Sequence, residues 1–206
     1  MVSGKRETGM FRALCEKTEF LPGGLIGFSG ADPVSDLVNL ATWGIPRWGL
    51  SHIAIVAPHV ATQLSILIES TTLCDLECLY TRKRGNGVQA HWIDHRVRPY
   101  SGRVWYYPPA ARLTRHEATA LACWSYTHRG RPYDYFGAVN ARDLCCGWLA
   151  RLCFPDDPEA FFCSEFVPAA LQEVGLFDRS DDNWSPNRLA RHCVRAGTHL
   201  PPVRLK

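Results

Sequence analysis

Apolar positions along the chain follow two periods, and the change from one to the other divides the sequence. From residue 24 to 108 the period is close to two. "GLIGFS" (24–29), "SHIAIVA" (51–57), "LSILIES" (64–70), "GVQAHWI" (87–93) and "GRVWYYP" (102–108) are short runs rich in β-branched and aromatic residues, bounded by turn formers, and each predicts a strand. The last four follow one another without a long helix between them, which predicts an antiparallel meander. One helical stretch interrupts the series: "ADPVSDLVNLATWG", with Asp32 as N-cap, Pro33 in the first turn, Val34, Leu37, Val38 and Ala41 on one stripe, and Gly44 as stop.

After residue 113 the period becomes helical. "TRHEATALACWSYTHRG" carries Thr114 and Glu117 at capping-box spacing, an inner face of Ala118, Leu121, Ala122, Ser125 and Tyr126, and Gly130 as terminator. "NARDLCCGWLARLCF" (140–154) places Leu144, Cys145, Trp148, Leu149 and Leu152 on one stripe. A third helix follows Cys163, with Phe162, Phe166, Val167, Ala170, Leu171 and Val174 facing inward and Pro168 as an obstacle within it. A fourth starts at Ser185 and Pro186 and ends at Gly197. Strands followed by helices imply an α+β domain, a small antiparallel sheet with helices packed on it.

Composition narrows the class. The 206 residues are 46% apolar and 21% charged, enough for one domain with a core; residues 1–20 read as an N-terminal extension, 21–206 as the domain. A net charge of +3 gives no reason to expect a nucleic-acid partner, and "TRKRGNG" (81–87) reads as a solvated turn. The first twenty residues lack the apolar region of a signal peptide, and no segment reaches the ~18 apolar residues of a membrane span. With nine cysteines spread along the chain, an odd number, the expectation is a cytoplasmic protein with reduced thiols.

Three residues carry candidate chemistry. Cys163 precedes an apolar helical run, and a helix start stabilises a thiolate. Of the eight histidines, His52 differs in lying within a strongly apolar strand, where a buried ring needs a partner for each nitrogen. His116 and His128 flank a helix, His59 sits in a turn, and His192 and His199 lie near the C-terminus. Glu69 sits near the end of the next apolar strand, an expensive place for an unpaired carboxylate. A core histidine and a strand-edge glutamate are the plain alternatives. Together the three supply a nucleophile, a base and an orienting acid. A competing metal site would draw on "CDLEC" (74–78) and "HWIDH" (91–95). Cys-x₃-Cys is wider than common zinc knuckles, and a strand would hold His91 and His95 about 13 Å apart. The expectation is therefore no metal and no cofactor.

"SHIAIV", "ILIES", "GV" opening a strand, "GRVWYYP", "RPYD", "FFCSEFV" and "AALQEVGL", in this order, resemble the permuted papain-like cysteine hydrolases, nearest the YiiX/YebB-like branch of the NlpC-type superfamily. The resemblance runs from about residue 20 to 195. It implies a circularly permuted papain-like α+β fold in which Cys163 is the nucleophile, His52 the general base and acid, and Glu69 the third polar residue. In it Tyr133 of "RPYD" matches a motif near the active site, lining the substrate pocket or supporting the oxyanion; Ser51, Ser164 and Trp148 are further candidates for substrate contact. "PGGLIGF" has Gly24 where the family usually has an aspartate. The activity implied is amide or ester hydrolysis on a small peptide, amide or acyl-lipid substrate. Acyl transfer or thioester cleavage is the alternative on the same fold, and a non-catalytic or structural-zinc binding module the alternative from another class. The stretch 140–161 is either core or a lid over an acyl substrate, in transient contact with lipid.

Overall fold

A computed structural model describes residues 18–30, 49–72, 74–133, 163–178 and 184–206. In chain order the elements are β1 (Leu25–Ser29), β2 (His52–Pro58), β3 (Ser65–Thr71), β4 (Gly87–Trp92), α1 (Ile93–Val97), β5 (Arg103–Tyr107), α2 (Arg115–Thr127), α3 (Cys163–Glu173), α4 (Pro186–Arg195) and β6 (Val203–Arg204). The expected helices after Asp32 and over 140–154, with Trp148 and Phe162, lie outside the described residues.

The six strands form one antiparallel sheet in the order β4-β3-β2-β1-β5-β6. β2, β3 and β4 do form a meander. β5 does not continue it: the short helix α1 turns the chain away from β4, and β5 pairs with β1 on the other side of β2. Neither α1 nor the two-residue β6 is legible as a periodic run, because each is shorter than two periods of its own pattern.

Alternation sorts the strand residues onto two faces. Leu25, Ile53, Ile55, Ile66, Ile68, Val88 and Ala90 meet Leu121 of α2, Phe166, Val167, Ala170 and Leu171 of α3, and Leu189 of α4 in the larger core. Ile26, Phe28, Ala54, Val56, Leu67, Val104 and Tyr106 form the second core, closed by Ile93 and Val97 of α1 and by Leu205. A Cβ at Gly27 would sit 2.7 Å from the Leu50 side-chain methyls, so a larger residue there would push the buried Leu50 side chain aside.

The helix ends follow the sequence signals. Thr114 Oγ1 accepts from the Glu117 backbone N–H at 3.3 Å, and Glu117 Oε2 accepts from the Thr114 N–H at 2.7 Å, which closes the capping box of α2. Of its expected inner face, Leu121, Ala122 and Ser125 are buried, whereas Tyr126 is 38% exposed and packs edge-on against Tyr80. Ser185 caps α4 by accepting from the Arg188 N–H at 3.3 Å. Asn187 then clamps the backbone of Leu50, accepting from its N–H at 2.7 Å and donating to its carbonyl at 3.0 Å. This clamp holds the chain two residues before His52. α3 runs through Pro168 without interruption; the proline lacks an N–H to bond the Ser164 carbonyl one turn back.

Candidate functional site

His52 is the first residue of β2, and Phe28 of β1 lies directly opposite it. The β2–β3 register, Ile55 opposite Ile68, continues so that Glu69 falls opposite Ala54. His52 and Glu69 are therefore diagonal neighbours on one face, the face of the second core. His52 Nε2 and Glu69 Oε2 are 2.6 Å apart. Glu69 is completely buried and His52 is 9% exposed. α3 packs on the opposite face, and its first residue, Cys163, hydrogen-bonds His52 where β2 begins. With Nε2 committed to Glu69, Nδ1 is the ring nitrogen left for the thiol. Cys163 is itself buried, at 7% exposure.

Beneath the carboxylate lies a residue that the periodicity does not reveal. Arg96, in α1, donates from Nε to Glu69 Oε1 at 2.6 Å and from Nη2 to Oε2 at 3.2 Å. Its guanidinium stands 4.6 Å over the Phe28 ring and 5.6 Å from the Tyr100 ring. Burial by itself favours the protonated acid, but the Arg96 charge and the hydrogen bonds from His52 and Arg96 override it and hold Glu69 far below the usual carboxylate range. Burial likewise works against a charged His52. Hydrogen bonds to Cys163 and Glu69, with the charges behind them, outweigh it and raise the ring to about 9. Arg96 is raised too: burial opposes its charge, and the Glu69 carboxylate more than compensates.

Two further polar residues on this face come from β4: Gln89, directly opposite Glu69, and His91, opposite Leu67 and diagonal to Glu69. His91 Nε2 lies 3.9 Å from Glu69 Oε1 and 3.5 Å from Cys74 Sγ. Burial holds His91 below the ordinary imidazole range, partly countered by Glu69, and holds the Cys74 thiol above its ordinary value. Glu69, Cys74 and His91 are the donor types that bind zinc, gathered in one place. "CDLEC" and "HWIDH" thus each contribute one residue. His95, expected to continue the strand, instead lies in α1 with a side chain 66% exposed.

The other candidates are placed as follows. Ser51 precedes His52, and its Oγ lies 3.3 Å from both the Phe28 carbonyl and the Gly30 N–H. Ser164 follows Cys163 in α3 and is 1% exposed. Tyr133 is half-buried just after the Arg131 that bonds Val88. His199, grouped in sequence with the unremarkable C-terminal histidines, is buried and bonded to the Gly23 carbonyl at 2.9 Å. A groove lined by Phe20, Ser65, Trp92, Asp94 and Arg112 contains none of the polar residues around Cys163.

The sequence matches no family model and no curated protein. Among solved structures the chain is similar to the metalloprotein YiiX from Escherichia coli O157:H7, with a TM-score of 0.52, 16% identity, and 88% of this chain and 84% of that one covered. The fold is YiiX-like. Among the described residues, no helix is long and apolar enough to cross a membrane.

Proposed function

We propose that the chain is a cysteine hydrolase with a permuted papain-like arrangement, acting on an amide or ester bond. One observation carries the reading: a buried histidine joins a cysteine on one side to an ionised carboxylate on the other. A structural histidine needs no thiol at its second nitrogen. The order His52, Glu69, Cys163, with the cysteine last, is that of the permuted enzymes.

In this reading a protonated His52 stabilises the Cys163 thiolate by direct charge attraction. The thiolate attacks the substrate carbonyl, and the carbonyl oxygen takes the negative charge. Backbone N–H groups in the first turn of α3 supply donors for that oxyanion. The intermediate collapses as His52 donates its proton to the leaving amine or alcohol, which departs and leaves a thioester on Cys163. His52, now neutral, takes a proton from water; the hydroxide attacks the thioester, and the thiolate leaves as the acid product forms. Glu69 stays ionised throughout. It fixes the ring with Nδ1 toward sulfur and stabilises the imidazolium. Arg96 keeps Glu69 charged and in place. Ser51, Ser164, Tyr133 and Trp148 are the residues we assign to substrate contact. An acyl acceptor in place of water makes the same site a transferase.

The test is hydrolysis of a panel of peptide, amide, ester and thioester substrates with graded acyl lengths. Cys163→Ala is expected to abolish turnover, and His52→Ala to lower kcat by roughly 10³-fold or more. Full activity in Cys163→Ala would overturn the reading.

A further inference from the structure

His52 and Arg96 do not exhaust the lone pairs of Glu69. A carboxylate offers about four acceptor positions. On Oε2 one is taken by His52 Nε2 and one by Arg96 Nη2; on Oε1 one is taken by Arg96 Nε. The remaining position belongs to Oε1, the oxygen that lies 3.9 Å from His91 Nε2. His91 Nε2 is in turn 3.5 Å from Cys74 Sγ, and the three donor atoms all lie within 4.8 Å of one another.

Nε2 of His91 faces Cys74 and Glu69, and the backbone of Glu77 lies beside the ring. An N–H donated from the other ring nitrogen to a backbone carbonyl would leave the lone pair on Nε2, as outer-shell bonds do for metal-bound histidines. A thiol, an imidazole and a carboxylate thus converge on the face of the sheet that also carries Leu67.

The geometry points to a binding site for a borderline-soft divalent cation of the Zn²⁺ class, formed by Glu69 Oε1, Cys74 Sγ and His91 Nε2, with a water as fourth ligand. Tetrahedral zinc, with bonds of about 2.0–2.3 Å, separates its donors by roughly 3.4–3.6 Å. The observed 3.5 and 3.9 Å are close to these values, and the Glu69–Cys74 pair, within 4.8 Å, closes by up to about 1.2 Å when the ion binds. Thiolate, imidazole and carboxylate favour zinc over magnesium or calcium, which take oxygen ligands. Cys74 gives up its proton to solvent as the S–metal bond forms, and its thiolate offsets one of the two cation charges, while Glu69 is shared between the ion, Arg96 and His52. Arg96 remains on the other positions of Glu69. Cys74 follows β3 in the connection to β4, at 8% exposure and next to an exposed Asp75.

Glu69 would then serve two sites. A cation on Oε1 withdraws charge from the carboxylate that supports His52, so loading is expected to slow the hydrolase. Only this consequence rests on the function proposed above.

The experiment titrates chelator-treated full-length protein with Zn²⁺ against a chromophoric competitor, and separately with Co²⁺ to read the thiolate-to-cobalt charge-transfer band. Wild type and Cys163→Ser are expected to bind one equivalent tightly, release a proton, and show the band. Cys74→Ser is expected to lose the band, and both Cys74→Ser and His91→Gln to lose more affinity than the roughly 10–100-fold that outer-shell changes cost. Absence of stoichiometric binding by the wild type would overturn the proposal. So would a band unchanged in Cys74→Ser, or one abolished by Cys163→Ser, which would put the ion on the nucleophile. Because Cys163→Ser removes the nucleophile, its metal binding fails or succeeds independently of hydrolysis.

Discussion

Arg96→Met removes the counter-charge of Glu69 while keeping most of the stem that packs over Phe28. Glu69 is fully buried and Arg96 is 5% exposed, so neither charge is screened by water. The variant loses hydrogen bonds of 2.6 and 3.2 Å, each to a charged acceptor and each worth about 1.5–3 kcal/mol. Removing one member of a buried ion pair costs about 3–5 kcal/mol, chiefly because the other is left uncompensated. His52 remains as a partial counter-charge at 2.6 Å, which puts the expected loss near the lower end, about 3 kcal/mol. The double variant Glu69→Gln/Arg96→Met removes both charges, so it is expected to fall short of the summed single losses by about 2 kcal/mol. Urea unfolding at pH 6 measures both, with the slope m unchanged if only the native state is affected. A loss in Arg96→Met below about 1 kcal/mol, or additive losses in the double variant, would refute the idea that the pair is energetically coupled.

In chelator-treated protein, stability should pass through a plateau between roughly pH 4.5 and 6.5. His52 titrates near 9 in the folded protein against 6.5 ordinarily, so its contribution, on the order of 3 kcal/mol, is complete below 6.5 and lost as pH rises through 9. Glu69 is depressed, so its contribution is present above about 4.5 and lost as pH falls; urea midpoints against pH read both limbs, and a flat alkaline limb would contradict the His52 assignment. Gly87→Ala should cost more than about 2 kcal/mol, since φ is +108° and the new Cβ would lie 2.0 Å from the Arg131 carbonyl oxygen. Gly85→Ala, with open space around it, should stay within about 0.5 kcal/mol. Thr114→Ala should cost about 1 kcal/mol in the same urea assay through loss of the α2 cap.

Local signals located β1 to β5 to within a residue or two, because β-branched runs bounded by Gly and Pro leave little choice of period. They also located the caps of α2 and α4. Glu69 was legible because an ionised group inside an apolar strand must have a partner. The identity of the partners was harder. That His52 meets Glu69 depends on a β2–β3 register that hairpin length alone does not fix. Arg96 was invisible for a different reason: in "IDHRVR" it sits among charged neighbours and reads as solvated surface, and only the turn of α1 under β3 buries it. Cys74 and His91 were set aside on spacing within their own segments, whereas the distances between them are tertiary. β5 crossing to β1 is a pairing decided by α1, too short to read.

The central claim is that His52 activates Cys163. An ordinary thiol is about 0.3% ionised at pH 6, and Cys163 is 7% exposed, so as a plain core residue it should react more slowly than the exposed Cys123. Iodoacetamide labelling of the native protein at pH 6, mapped by peptide mass spectrometry, should show Cys163 modified at least roughly tenfold faster than Cys123, with the advantage lost in His52→Ala. Labelling of Cys163 no faster than Cys123, or unchanged by His52→Ala, would contradict the account.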